Sequence, residues 1–228
     1  MSYLGSKAAS GAYQAIIASM PPHDTYIETH LGGGAVMLRK PRAARSIGVD
    51  LDGHAIHAFR AELDDSHSIE LHECDAVGFL QRFDYDDAGR VLIYADPPYL
   101  HSTRTSLKRY RCEYTSADHE CLLFELRERA AAGAAVMVSG YPSALYDSLL
   151  PDWRTLEFQV MTRGGPRTEK LWMSFDPAAA HWATYAGRDF TDRQRIKRKA
   201  ARWAADYAKL PAAERVAVLA ALLQADAA

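Results

Sequence analysis

Cysteine is scarce and unpatterned in this sequence. Cys74, Cys112 and Cys121 are odd in number, and none sits at ligand spacing from a second cysteine or a histidine. Neither a disulfide framework nor a zinc site is expected, and no metal is implied. No apolar run approaches the roughly 20 residues that a membrane-spanning helix needs. Met1 is followed by polar residues rather than an apolar stretch, so no secretory signal is expected and a cytoplasmic protein follows by default. Internal repeats are missing, and so are low-complexity tracts other than an Ala-rich tail. Glycines cluster at Gly32-Gly33-Gly34, but not in G-x-G-x-x-G spacing and with no P-loop lysine after them. That speaks against a dinucleotide or a nucleoside triphosphate. An excess of positive charge is also lacking, since the net charge is −2. Hydrophobic residues at 48% and charged residues at 25% are ordinary for a globular chain, and 228 residues suffice for one large domain with or without a small appendage.

The most informative segment is Asp96-Pro97-Pro98-Tyr99, directly after the strand-forming run Val91-Leu92-Ile93-Tyr94-Ala95. Open α/β sheets bind ligands at the carboxyl ends of their strands. Two prolines remove two backbone donors and fix φ, so the carbonyls turn outward instead of joining a ladder. Asp96 and the Pro97 carbonyl can then both accept from one NH2 group. The combination suits holding a planar, amine-bearing group and aiming its nitrogen, by orientation and preorganised electrostatics.

Upstream, Tyr26-Ile27-Glu28 reads as a short strand ending in an acid and running into Leu31-Gly32-Gly33-Gly34-Ala35-Val36. Glycines after a first strand let backbone approach a ligand closely. Ser46-Ile47-Gly48-Val49-Asp50 is a second strand ending in an acid, the place from which ribose hydroxyls are typically held. With these pieces in order, the chain resembles the Dam-like DNA adenine N6-methyltransferases, those with the alpha order of motifs, up to about Phe175. Tyr3-Leu4-Gly5-Ser6-Lys7 is similar to the N-terminal motif whose aromatic residue and lysine contact S-adenosylmethionine. Glu28 with Leu31, Gly32, Gly33 and Gly34 resembles the methionine-binding motif. Asp50 matches the ribose-binding acid, and Asp75 the acid near the cofactor's adenine. Asp96, Pro97 and Tyr99 match the catalytic motif, with Asp96 also bordering the cofactor. Ser139-Gly140-Tyr141-Pro142 and Arg167-Thr168-Glu169-Lys170-Leu171-Trp172 resemble later family segments.

The resemblance implies methyl transfer from S-adenosylmethionine to the exocyclic nitrogen of an adenine flipped from duplex DNA. Asp96 and the Pro97 carbonyl would take the amino protons. Tyr99 would stack on the base, worth about 1–3 kcal/mol. Its ring, more than its hydroxyl, is expected to matter. The chain departs from the family at Thr29-His30, where Pro-Phe is usual, and His30 is read as filling the loop in preference to pointing at the cofactor. Asp75 and Asp96 lie only 21 positions apart, which leaves no room between them for a separate recognition domain.

Charge is unevenly spread. Glu62 to Asp87 is strongly acidic, with Arg82 as its lone cation among the acids. The segment after the Asp-Pro-Pro-Tyr motif carries Arg104, Lys108, Arg109 and Arg111 without an acid, with Tyr110 and Tyr114 interleaved. It reads as a loop that neutralises phosphates and stacks on nucleic acid. A second basic stretch runs from Arg188 to Arg202 and also reads as an ordinary solvated helix face.

Periodicity predicts helices over 8–19, from Gly33 to Lys40, 52–64, 76–83 and 116–132, the last capped by Ser116. Strands are predicted over 25–29, 45–50, 68–73, 90–95 and 134–139, and a hairpin over 156–162 and 168–175. The helix from Gly33 would aim its N-terminus at the cofactor carboxylate. The expected class is α/β, a Rossmann-like seven-stranded methyltransferase sheet with a terminal β-hairpin and a small C-terminal helical appendage. Residues 1–177 would form the methyltransferase domain and 178–228 a helical extension, beginning with a linker at 178–187. The extension's helices would be a free appendage, pack on the sheet, or mediate a homodimer. Open alternatives are an RNA adenine methyltransferase, a non-catalytic nucleic-acid-binding subunit, and an α/β domain for another small ligand.

Overall fold

A computed structural model of the chain describes residues 7, 12–64, 68–103, 111–162, 165–176 and 189–226. The chain divides into two compact units, Met1–Trp182 and Ala183–Ala228. The first holds a seven-stranded sheet built from β1 (Thr25–Glu28), β2 (Arg45–Asp50), β3 (Glu70–Glu73), β4 (Val91–Ala95), β5 (Ala135–Gly140), β6 (Arg154–Thr162) and β7 (Gly165–Met173). Their order is β3-β2-β1-β4-β5-β7-β6. The first five run parallel, and β7 is antiparallel to both β5 and β6. This is the α/β class and the seven-stranded Rossmann-like sheet with a terminal hairpin expected from the sequence.

Burial explains the order. Every residue of β1 and β4 is buried, as strands covered on both faces of a parallel sheet must be. At the edge, β3 is Glu-Leu-His-Glu with no fully buried residue, a polar strand that discourages pairing with another chain. The flanking helices are α1 (Ala12–Ala18), α2 (Gly53–Glu62), α3 (Ala76–Arg82), α4 (Ser116–Ala131) and α5 (Ala144–Leu149). Asp52 caps α2 through the His54 amide, and Asp75 caps α3 through the Gly78 amide. The α4 cap is Thr115 rather than Ser116. Thr115 and Asp118 each hold the other's backbone N–H, a reciprocal capping box.

The helix expected from Gly33 does not form. Residues 35–39 make consecutive turns, with the Leu38 amide bonded to the Gly34 carbonyl and the Lys40 amide to the Val36 carbonyl. Gly32 and Gly34 adopt φ of 49° and 56°, left-handed values that suit glycine and interrupt a right-handed helix. A Cβ on Gly34 would come within 2.0 Å of the Phe59 ring. Phe59 is itself buried in the core and cannot swing away into solvent. Gly34→Ala therefore combines left-handed strain with overpacking, and is expected to cost about 2–4 kcal/mol in denaturant unfolding. A loss within experimental error would mean that this loop yields freely. The short helix α5 was not anticipated, and the hairpin is longer than predicted at its start.

The second unit contains α6 (Phe190–Ala208) and α7 (Ala212–Asp226). No residue of α6 is buried. The linker expected at 178–187 lies outside the described residues. Among the described residues no helix is long and apolar enough to cross a membrane.

Candidate active site

The strand order reverses direction at β1 and β4. From there the chain passes outward through β2 and β3 on one side, and through β5 on the other. Ligands of open α/β sheets bind in the crevice at such a switch point, beyond the carboxyl ends of the strands. A cleft lies there, lined by the ends of β1, β2 and β4 and the loops after them. Its lining includes Glu28, Asp50, Asp52 and Asp96 against one ammonium, that of Lys7. The glycines Gly32, Gly33 and Gly34 and Leu31 form one wall, and Pro97 and Pro98 another. The sequence-predicted residues Lys7, Glu28, Leu31–Gly34, Asp50, Asp96 and Pro97 thus converge on one cavity.

Asp96 is held from one side. Its Oδ1 accepts from Lys7 Nζ at 2.6 Å and from Ser139 Oγ at 2.8 Å. Neither its Oδ2 nor the Pro97 carbonyl makes a hydrogen bond among the described residues. The clamp fixes the carboxylate and leaves one oxygen and a neighbouring carbonyl for a ligand N–H pair. Burial raises the Asp96 pKa, Lys7 opposes the rise, and Glu169 adds to it. For Lys7, burial alone would lower the pKa, but the carboxylates of Asp96 and Glu169 outweigh it and keep the ammonium charged.

Lys7 continues the network away from the cleft. Its Nζ donates to the Tyr99 hydroxyl at 2.7 Å, and that hydroxyl donates to Glu169 Oε1 at 2.8 Å. Glu169 Oε2 lies 3.4 Å from the same ammonium. Tyr99 is not in the cleft lining and is only 7% exposed. Its ring packs at 4.3 Å, centroid to centroid, on Tyr141. Stacking on a base needs an open ring face, and these neighbours leave Tyr99 little of one. In this arrangement its hydroxyl, expected to be secondary, bridges Lys7 and Glu169. Tyr114, expected on a stacking surface, is also buried; its hydroxyl meets His30 Nε2 at 3.0 Å.

Two roles were not read from the sequence, and a third was read with the other alternative preferred. Ser139 and Glu169 stood in segments noted only as family-like. The available signal for Glu169 was an acid in phase with Leu171 and Met173 on the inward face of a strand, where acids are rare unless paired. His30, for which loop filling was preferred over a place facing the cofactor, lines the cleft. Burial, reinforced by the nearby His119, lowers its pKa to about 3, so the ring stays neutral.

The acids at the end of β2 and after β3 differ from each other. Asp50 Oδ2 accepts from the Gly32 amide at 2.7 Å and its Oδ1 from the Asp52 amide at 2.8 Å, which ties the glycine loop to the end of β2. Asp75 does not line the cleft; its carboxylate is engaged at the α3 cap, 2.7 Å from the Gly78 amide. Glu28 is buried and accepts from the Tyr26 hydroxyl at 2.9 Å. Burial, with a contribution from Asp96, raises its pKa to about 8. Arg111, expected to contact nucleic acid, lies 3.2 Å from the cleft acid Asp52 and is largely exposed. Tyr3, Arg104, Lys108, Arg109 and Tyr110 lie outside the described residues.

No protein-family model and no curated protein sequence matches the chain. Several solved structures share its layout. A Streptococcus mutans protein designated a methyltransferase, in complex with S-adenosylhomocysteine, superposes with a TM-score of 0.49 at 11% identity, over 70% of this chain and 94% of its own. An rRNA methylase from Streptococcus thermophilus gives 0.47 at 9% identity, over 71% and 93%. The 23S rRNA methyltransferase ErmE gives 0.49 at 13% identity, over 81% and 74%. At these identities and scores the likeness reaches no further than the arrangement of sheet and helices, which the strand order already gives.

Proposed function

We propose that this protein is an S-adenosylmethionine-dependent methyltransferase that modifies the N6 amino group of adenine in DNA. The observation that carries the reading is Asp96 at the switch point. One of its oxygens is clamped by Lys7 and Ser139 while the other, beside the Pro97 carbonyl, is left for a substrate amine.

The cleft suits the cofactor. S-adenosylmethionine carries a sulfonium and an α-ammonium, and among the described residues Glu28, Asp50, Asp52 and Asp96 line the cleft with Lys7, while Arg111 lies 3.2 Å from Asp52. Glu28 and the glycine loop would hold the methionine portion, Asp50 the ribose hydroxyls, and Lys7 the floor beside Asp96. When bound, the cofactor supplies the electrophilic methyl group. The protein's own work is to orient the acceptor. Asp96 Oδ2 and the Pro97 carbonyl accept the two amino protons of a flipped adenine and turn the nitrogen lone pair out of ring conjugation. The methylated nitrogen then gives up its surplus proton to solvent.

Glu28 makes this testable by binding alone. With a pKa of about 8 it is mostly protonated at neutral pH in the free protein. A cation docked against it favours the ionised form and lowers that pKa. Cofactor binding near pH 7 should therefore release up to one proton and tighten as pH rises towards 8. Titration calorimetry in two buffers of different ionisation enthalpy reads this directly. Binding heats that do not depend on the buffer would detach Glu28 from the cofactor.

The substrate test is transfer from labelled S-adenosylmethionine to unmethylated duplex DNA, single-stranded DNA and RNA. The proposal expects label in DNA. RNA is the second reading, because α3 and β4 fill the interval between Asp75 and Asp96 and leave no inserted domain there to read a duplex. Label confined to RNA would select it.

A further inference from the structure

The helix α6 is not used by anything above, and its charge is unusual. From Arg193 to Arg202 it carries six cations and no acid. Gln194, Arg195, Arg198, Lys199 and Arg202 share one surface groove along it. Arg195 is paired, to Asp192 at 2.8 Å. Arg193, Lys197, Arg198 and Arg202 have no acidic partner among the described residues, and Lys199 lies over the exposed Trp203 ring at 5.9 Å. Within the stripe, Arg195 with Lys199 and Arg198 with Arg202 are like charges at i,i+4, which destabilise a helix. An ordinary solvated face relieves such repulsion with interspersed acids. Here it is left for something outside the helix to neutralise.

We propose that this face of α6 docks a nucleic-acid sugar–phosphate backbone. Arg195 to Arg202 spans about 10 Å at the helical rise, a length over which a duplex presents about six phosphate charges. Phe190 stands at the amino end of the basic groove, but Trp203 and Tyr207 of α6 turn to a separate groove that they share with Leu210 and with Val218, Leu219 and Leu222 of α7. A membrane-surface helix would need that apolar face free to insert beside the cations, and α7 occupies one side of it. Taking the polyanion to be nucleic acid rests on the proposed function; the docking itself is measured without turnover.

The test uses the full chain and a fluorescent duplex of about 20 base pairs, with anisotropy followed across a salt series. The comparison is Arg198→Gln/Lys199→Gln/Arg202→Gln, with circular dichroism to verify helix content. A slope of about 0.9 per neutralised phosphate predicts that log K against log[salt] flattens by up to about 2.7. Affinity near 0.1 M salt should fall at least about tenfold. The charge-reversing Arg198→Glu/Lys199→Glu/Arg202→Glu should bind more weakly still. An unchanged slope in both variants overturns the proposal. So does a loss of binding confined to anionic vesicles or to an acidic protein while duplex binding persists. Cofactor affinity and transfer to a short single-stranded oligonucleotide separate the two readings. Transfer intact with an unchanged slope removes the role of α6 alone. A flattened slope with no transfer to any nucleic acid removes the methyltransferase reading alone.

Discussion

Asp96→Asn is expected to reduce methyl transfer by about 10²–10³-fold while leaving the affinity for S-adenosylmethionine within a few-fold of wild type. The substitution keeps the shape but replaces a charged acceptor with an amide, so the amino protons of the substrate lose their strongest partner. Removing one member of a buried ion pair often unfolds a protein, at about 3–5 kcal/mol. That cost is blunted here, because Glu169 Oε2 remains 3.4 Å from Lys7 and balances its charge. A melting curve would separate the two effects. The same geometry fixes a pH dependence. The Asp96 pKa is raised, chiefly by burial, and transfer needs the ionised form. Activity should therefore be lost as pH falls, with an acid limb above the ordinary carboxylate value. If Asp96→Asn lost cofactor binding and activity together, the division of labour between Asp96 and the cofactor loop would be wrong.

Tyr99→Phe is expected to be severe, although the sequence alone suggests that the ring matters and the hydroxyl little. In the folded protein that hydroxyl accepts from Lys7 at 2.7 Å and donates to Glu169 at 2.8 Å. Deleting it leaves a buried ammonium and a buried carboxylate each short of a partner, at about 1–3 kcal/mol. Lys7 then has less to hold it against Asp96. We expect destabilisation of that size in denaturant unfolding and a fall in transfer of about ten- to a hundredfold. Glu169→Gln should produce the same pattern from the other end, with its larger effect on turnover and its smaller one on cofactor affinity. A Tyr99→Phe protein equal to wild type in stability and rate would return the function of Tyr99 to its ring.

The contrast between these two residues shows what the sequence could reveal. Asp96 was legible because its significance is local. A strand that stops in an acid and two prolines has few structural alternatives, and the strand was visible from the apolar run Val91-Leu92-Ile93-Tyr94-Ala95, all five of which are buried. The β1 and β2 ends at Glu28 and Asp50 were legible for the same reason, and with them most of the cleft. The Tyr99 environment is long-range. Lys7 and Glu169 lie 92 and 70 positions from Tyr99, and Glu169 is brought there by β7, which runs antiparallel beside β5. No local pattern encodes that pairing. The glycine loop misled in the opposite way. Ala35 to Lys40 has helical propensity, but left-handed backbone at Gly34 and the tight fit of that glycine on Phe59 prevail over it. Helix α5 was missed because six residues between a strand and a turn carry too little periodicity to register.

The most direct test of the account is nucleoside mass spectrometry of unmethylated duplex DNA after incubation with the protein and S-adenosylmethionine, beside the Asp96→Asn variant. The account predicts N6-methyldeoxyadenosine from the wild-type protein and at most a trace from the variant, with both binding the cofactor. Methyl groups on another base or on RNA alone, or equal product from the variant, would contradict it.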